Sequence, residues 1–115
     1  MRRMIGAAAA ALLLGACAGQ ESAVSPEALA QDGREIAEAQ CAACHAVGRY
    51  GDSPAPEAPP FRRVLARYDS EVLEEELIQG IQVSHPMPEF QFNPQSVDAL
   101  IAYLQSIQET PPASE

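Results

Sequence analysis

The segment Cys41-Ala42-Ala43-Cys44-His45 brings two thiols and an imidazole together in five residues. At the end of a helix, the Cys-x-x-Cys spacing places the two thiols within about one turn of each other. Thiolates and imidazoles bind metals, and paired thiols also exchange electrons or form covalent bonds. The motif therefore predicts a metal site, a thiol redox pair or a covalently attached prosthetic group.

Covalent attachment uses every reactive residue of this motif. Haem has two vinyl groups on neighbouring pyrroles, and each forms a thioether with one thiol. The adjacent histidine then lies under the iron and supplies an imidazole nitrogen, which makes this five-residue unit a signature of c-type haem attachment. We therefore predict one haem c bound covalently to Cys41 and Cys44, with His45 as an axial ligand of the iron.

Three other interpretations of the cysteine pair are weaker. A thioredoxin-like pair predicts a preceding strand, whereas a helical pattern precedes Cys41. A structural zinc site needs a fourth ligand and often a second cysteine pair, and only His85 remains. A disulfide between Cys41 and Cys44 would close a very short loop and add little stability. Haem is favoured over all three.

A second axial ligand is expected in the segment Ser84-His85-Pro86-Met87-Pro88. Met87 is the only methionine left once the N-terminal segment is removed, and prolines on both sides restrict its backbone. A thioether suits haem iron and gives a higher potential than a second imidazole. We predict Met87 as the sixth ligand, and His85 is its principal rival.

The N-terminal segment predicts export. Residues 1–16 combine Arg2 and Arg3 with an apolar run too short to span a bilayer, which is typical of a secretory signal peptide. Leu14-Gly15-Ala16-Cys17 resembles a bacterial lipoprotein box, in which Cys17 is acylated, although Ala16-Cys17-Ala18 also fits ordinary cleavage. The odd cysteine favours lipidation. We predict a lipidated tether over residues 17–24 and a periplasmic, membrane-anchored protein.

The mature chain is strongly acidic. Without Arg2 and Arg3, five basic residues stand against 16 acidic ones, a formal charge of −11. This balance argues against nucleic-acid binding, which needs a basic surface. The remaining arginines are expected to pair with haem propionates, to form a docking patch or to be ordinary surface residues: Arg34, Arg49, Arg62, Arg63 and Arg67.

Helices and stiff loops must position the motif. Ser25-Pro26 predicts the start of a helix that leads to Cys41, and the Gly- and Pro-rich residues 48–60 predict a loop. A short helical turn is expected over 61–67 and a second helix from Asp69 to about Gln79. Asn93-Pro94 predicts the start of a last helix, with Pro111-Pro112 as its stop. The chain is thus a mainly α-helical domain over residues 25–109 with an acidic tail over 110–115.

Over residues 25–108 the sequence resembles class I cytochrome c. The family carries a glycine eight residues before the first haem cysteine, as Gly33 precedes Cys41, and this glycine lets the first helix cross the last one closely. A Leu-x-x-Tyr pair lies at that crossing in the family, matched by Leu100 and Tyr103. The resemblance implies an all-α cytochrome c fold, with three main helices and loops around one haem. It also implies that a proline carbonyl, Pro59 or Pro60, accepts the N–H of His45.

The resemblance implies an electron carrier rather than an enzyme. Its expected role is one-electron transfer in an extracytoplasmic chain, with redox partners from a respiratory or dehydrogenase chain. The loops resemble small bacterial forms and the chain has no lysine, so the partners of mitochondrial cytochrome c are not implied. Two alternatives stay open: a haem protein with an open or exchangeable sixth site, peroxidase-like or gas-binding, and a non-haem thiol redox protein.

Overall fold

The computed structural model describes residues 23–83 and 87–109, a part of the chain that is helical and contains no strand. Its elements are α1 (Pro26–Gln40), a 3₁₀ helix (Phe61–Ala66), α2 (Ser70–Gln79) and α3 (Pro94–Ile107). None of these helices combines the length and apolar character needed to cross a membrane. The all-α class is confirmed. The predicted signal peptide, Cys17, most of the tether, His85 and the acidic tail lie outside the described residues.

Each α-helix begins at a residue whose side chain caps it. The Ser25 hydroxyl accepts a hydrogen bond from the Ala28 amide at 3.1 Å, and the Asn93 side chain accepts one from the Ser96 amide at 2.8 Å. The Asp69 carboxylate accepts two amides at the start of α2. These bonds satisfy helix N–H groups that have no partner within the helix, and they confirm the three predicted helix starts.

The close crossing of α1 and α3 depends on Gly33. A Cβ atom at this position would lie 1.9 Å from the carbonyl oxygen of Ala99 and 2.9 Å from the Cβ of Tyr103. Only glycine allows the two backbones to approach so closely. The predicted role of Gly33 is confirmed, with Tyr103 at the crossing as expected. Ala99 supplies the nearest atoms, and Leu100 is buried one position further along α3.

The core forms between α3 and the elements packed on it. On α2 and just after it, Leu73, Leu77 and Ile81 are buried, as their shared helical face predicts. The stripe on α3 is buried along its whole length: Val97, Leu100, Ile101, Leu104 and Ile107. Since α3 packs on α1, α2 and the 3₁₀ helix, the buried faces of α2 and α3 supply walls of the site described below.

The last helix ends earlier than its proline signal predicts. The helix stops at Ile107, and Gln108 has extended backbone angles (φ −59°, ψ 135°). The expectation that Pro111-Pro112 stops the helix is therefore wrong. The physical reason lies in Gln108, whose side chain turns back to bond the 3₁₀ helix at Phe61 and Leu65.

Candidate functional site

The cysteine motif continues the helical path of α1 for one more turn. The Cys41 amide donates to the Ala37 carbonyl at 2.9 Å, and the amides of Cys44 and His45 both donate to the Cys41 carbonyl, at 3.2 and 2.9 Å. The two thiols are not joined in a disulfide. The helical turn therefore presents both thiols and the imidazole from one rigid segment.

The imidazole of His45 is buried and its orientation is fixed. Its Nδ1 lies 2.8 Å from the carbonyl oxygen of Pro59. Since a carbonyl can only accept, Nδ1 carries the proton and donates it. This tautomer makes Nε2 the nitrogen suited to bind a metal. Of the two prolines considered from the sequence, Pro59 makes the contact. The ring of Phe61 lies against the imidazole at 5.0 Å between centroids, tilted by 50°.

A largely apolar cavity adjoins this imidazole. Its empty space, including the part open to solvent, is about 560 Å³. Three of the predicted site residues lie on its wall: Cys41, His45 and Met87. The other lining residues are Pro59, Phe61, Val64, Tyr68, Leu73, Leu77, Ile81, Val83, Phe92, Leu100 and Leu104.

A second cavity, of about 390 Å³, adds the remaining thiol. It shares Cys41, His45 and Met87 with the first cavity and also contacts Cys44. Gln40, Ala43, Pro88 and Phe90 complete its wall. The structure thus brings together four predicted site residues, two thiols, one imidazole and one thioether, whereas the rival ligand His85 lies outside the described residues.

The burial of Cys41 and the arrangement of possible metal ligands do not favour a thiol redox pair or a zinc site. Burial raises the pKa of Cys41 to about 11, whereas reactive cysteines need a lowered pKa. Across residues 23–83 and 87–109, no three His, Cys, Asp or Glu side chains are arranged to hold a metal ion. By contrast, unjoined thiols, an oriented imidazole, a thioether and an apolar wall fit a covalently attached haem.

The proline loop is fastened around the motif by bonds that the sequence did not reveal. The Ala46 amide donates to the Ser53 hydroxyl at 3.0 Å, and the Phe61 amide donates to the Ala46 carbonyl at 2.9 Å. From α3, the Tyr103 hydroxyl donates to the Val47 carbonyl at 2.6 Å. Ser53, Phe61 and the hydroxyl of Tyr103 were missed because no local pattern predicts their partners, which lie 7 to 56 positions away in sequence.

In the described part of the chain, four arginines make side-chain contacts with other residues. Arg34 pairs with Glu38 one helical turn away, and Arg49 donates to the carbonyl oxygen of Ser106 at 2.7 Å. Arg62 and Arg63 both bind the carboxylate of Glu109, at 2.7 and 2.9 Å. These contacts favour a structural role for the arginines over a docking patch.

Comparison with protein families gives a match that covers most of the chain. The family model described as cytochrome c matches residues 30–108. The matched range contains the cysteine motif, both cavities and α3. Searches of the curated proteins and of the solved structures found no match.

Proposed function

The chain belongs to the cytochrome c family, and from this premise we propose that it transfers single electrons in an extracytoplasmic redox chain through a haem ligated by His45 and Met87. Membership supports the coarser statement: the protein is a haem-based electron carrier that binds haem c covalently and acts with redox partners. The observation that carries the finer proposal is that Cys41, His45 and Met87 line one apolar cavity.

Each site residue has a distinct role in this proposal. Cys41 and Cys44 would hold the porphyrin through thioether bonds, and His45 and Met87 would ligate its iron. When bound, haem supplies an iron that alternates between the ferric and ferrous states and so carries one electron. The Pro59 carbonyl holds the imidazole of His45 in the tautomer that directs Nε2 away from the loop.

The apolar wall controls the environment of the site. Leu73, Leu77, Leu100 and Leu104 line the cavity, so they exclude water and lower the local dielectric constant. Burial and axial ligand identity are two of the means by which a protein sets haem potential. With both His45 and Met87 bound to the iron, small molecules would be kept from the metal, which suits a carrier rather than a haem enzyme.

Replacement of the proposed sixth ligand tests the assignment. In purified holoprotein, Met87→Ala should abolish the weak near-infrared sulfur–iron band of the oxidised form and lower the midpoint potential. His85→Ala is the matched variant and should preserve both properties. A band that persists in Met87→Ala would overturn the assignment. A wild-type protein that lacks the band and binds carbon monoxide would support a gas sensor or haem enzyme instead.

We also propose that the protein is exported to the periplasm and anchored to the membrane by acyl chains on Cys17. Residues 1–16 and the Leu14-Gly15-Ala16-Cys17 segment support this proposal, and several acyl chains anchor a protein firmly at ~0.8 kcal/mol per buried methylene. Mass spectrometry of the mature N-terminus should find an acylated Cys17. An unmodified start at Gly19 would rule out the anchor.

A further inference from the structure

The segment from Pro59 to Ala66 connects the proposed iron ligand with a distant part of the chain. At its start, the carbonyl oxygen of Pro59 accepts the hydrogen bond from His45. The 3₁₀ helix begins two residues later, at Phe61. Short 3₁₀ helices have poor hydrogen-bond geometry and hold their shape weakly without other contacts. The position of the Pro59 carbonyl therefore depends on the bond from the Phe61 amide to the Ala46 carbonyl and on what fixes the rest of this helix.

Gln108 fixes the 3₁₀ helix with a single side-chain amide. Its Nε2 donates to the Phe61 carbonyl at 2.7 Å and to the Leu104 carbonyl at 2.8 Å. Its Oε1 accepts the Leu65 amide at 3.1 Å. Gln108 thus ties both ends of the 3₁₀ helix to the C-terminal end of α3. Further back along α3, Ala99 and Tyr103 pack tightly on Gly33 of α1.

Glu109 adds a second set of contacts on the more exposed side of the 3₁₀ helix. Its amide donates to the Arg62 carbonyl at 2.8 Å, and its carboxylate binds the guanidinium groups of Arg62 and Arg63. These bonds hold Arg62 and Arg63. Of Gln108 and Glu109, only Gln108 bonds Phe61. Phe61 packs on the His45 ring and directly follows Pro59-Pro60 in sequence.

We propose that Gln108 is a positioning residue for the imidazole of His45: through Phe61 it fixes the Pro59 carbonyl and thereby sets the strength of the His45 hydrogen bond. This inference rests on the proposed function, because it requires His45 as an iron ligand. A hydrogen bond to a ligating histidine raises the basicity of that ligand. A weaker bond lowers the basicity, which destabilises the ferric state more than the ferrous state and raises the potential.

A matched pair of uncharged variants tests the inference in the full holoprotein. Gln108→Met preserves side-chain length but removes the amide, and Gln105→Met makes the same change on the exposed face of α3. Gln108→Met should raise the midpoint potential and speed the exchange of the His45 ring N–H with solvent, by up to roughly tenfold, which corresponds to complete loss of the hydrogen bond from His45 to Pro59. Gln105→Met should change neither quantity.

The readouts separate positioning from general stabilisation. A lower melting temperature of Gln108→Met with unchanged potential and unchanged ring N–H exchange would overturn the proposal. If Gln108→Met yields no folded protein, Gln108→Glu retains an acceptor for Leu65 and loses both donors. Faster ring N–H exchange in that variant would support the proposal, and unchanged exchange would overturn it. Wild-type protein without His45 ligation in its spectrum would instead overturn the proposed function.

Discussion

The two walls of the cavity that carry the proposed ligands are held in different ways. On the His45 side, the imidazole donates to the Pro59 carbonyl. The adjacent loop is fixed by the bond from the Ala46 amide to the Ser53 hydroxyl and by the bond from the Phe61 amide to the Ala46 carbonyl. On the Met87 side, Met87, Val83 and Phe92 are partly buried against the core. Among the described residues 81–83 and 87–92, the only hydrogen bond is a long one, from the Phe92 amide to the Leu77 carbonyl at 3.4 Å.

This difference indicates different tasks for the two proposed ligands. Hydrogen bonds are directional, so they fix the orientation of the His45 ring. Apolar contacts are not directional, and segments with few hydrogen bonds open at lower free energy than the core. We therefore expect the Met87 side to open first, which leaves haem attached to Cys41, Cys44 and His45 while the sixth position exchanges its ligand.

A pair of phenylalanine variants, one on each wall, sharpens this comparison. Phe61 is 7% exposed and packs on His45, so Phe61→Ala should lower the free energy of unfolding by ~3–5 kcal/mol. Phe92 is only partly buried, so Phe92→Ala should lower the free energy of unfolding by a smaller amount. Because Phe92 supports the Met87 side, its variant should show the larger increase in imidazole binding to the ferric iron, measured by visible spectroscopy.

Denaturant unfolding of both holoproteins provides the stability values against which the binding data are read. Equal increases in imidazole affinity for the two variants would contradict the comparison. So would a larger increase in Phe61→Ala, because it would show that the hydrogen-bonded wall controls access to the sixth position.

The local signals in the sequence predicted most of the fold. Ser25, Asp69 and Asn93 precede helices and cap them, and the apolar stripe of α3 repeats with helical spacing, so each needs only neighbouring residues to be recognised. The cysteine motif is local for the same reason. Gly33 was predicted through its distance from Cys41 in the resembling family, and the structure gives the physical reason at Ala99.

Contacts between distant residues could not be predicted in the same way. Gln108 bonds a carbonyl 47 positions earlier, and nothing near Gln108 in sequence distinguishes it from Gln105. Pro59 and Pro60 have the same local signature, and only the folded loop shows which carbonyl faces His45. The early end of α3 was missed because the bonds of Gln108 to the 3₁₀ helix arise only after the chain has folded.

A substitution at the helix crossing tests whether both walls depend on one support. Gly33→Ala places a Cβ within 1.9 Å of a backbone oxygen, so α1 and α3 must separate. Overpacking typically costs ~1–3 kcal/mol, and we expect the upper end because backbone rather than a flexible side chain is displaced. Since α1 leads to His45 and α3 lines the cavity, imidazole binding and His45 ring N–H exchange should both increase.

Gly48→Ala is the control, because a Cβ at Gly48 meets nothing within 4 Å. Its stability should stay within ~0.5 kcal/mol of the wild type. A Gly33→Ala protein in which only one of the two readouts changes would show that the walls have separate supports.

The smallest expected effect concerns how stability on the His45 side of the cavity depends on pH. Hydrogen bonds from Arg63 and Arg62 hold the pKa of Glu109 below its ordinary value of 4.5. A carboxyl whose pKa is lowered on folding adds stability above its ordinary pKa, and this contribution is lost as the pH falls through the lower, folded value. Glu109→Gln should therefore lower the melting temperature slightly at neutral pH and match the wild type in strong acid.

Glu57→Gln makes the same chemical change at an exposed position of the proline loop and should not alter the melting temperature at either pH. Thermal unfolding of the three holoproteins, followed at several pH values, measures the difference. Because Glu109 binds Arg62 and Arg63 on the 3₁₀ helix, its loss should act on the wall that carries His45 and leave imidazole binding at the sixth position unchanged. A pH-independent difference would mean that the variant acts through packing rather than through the charge of Glu109.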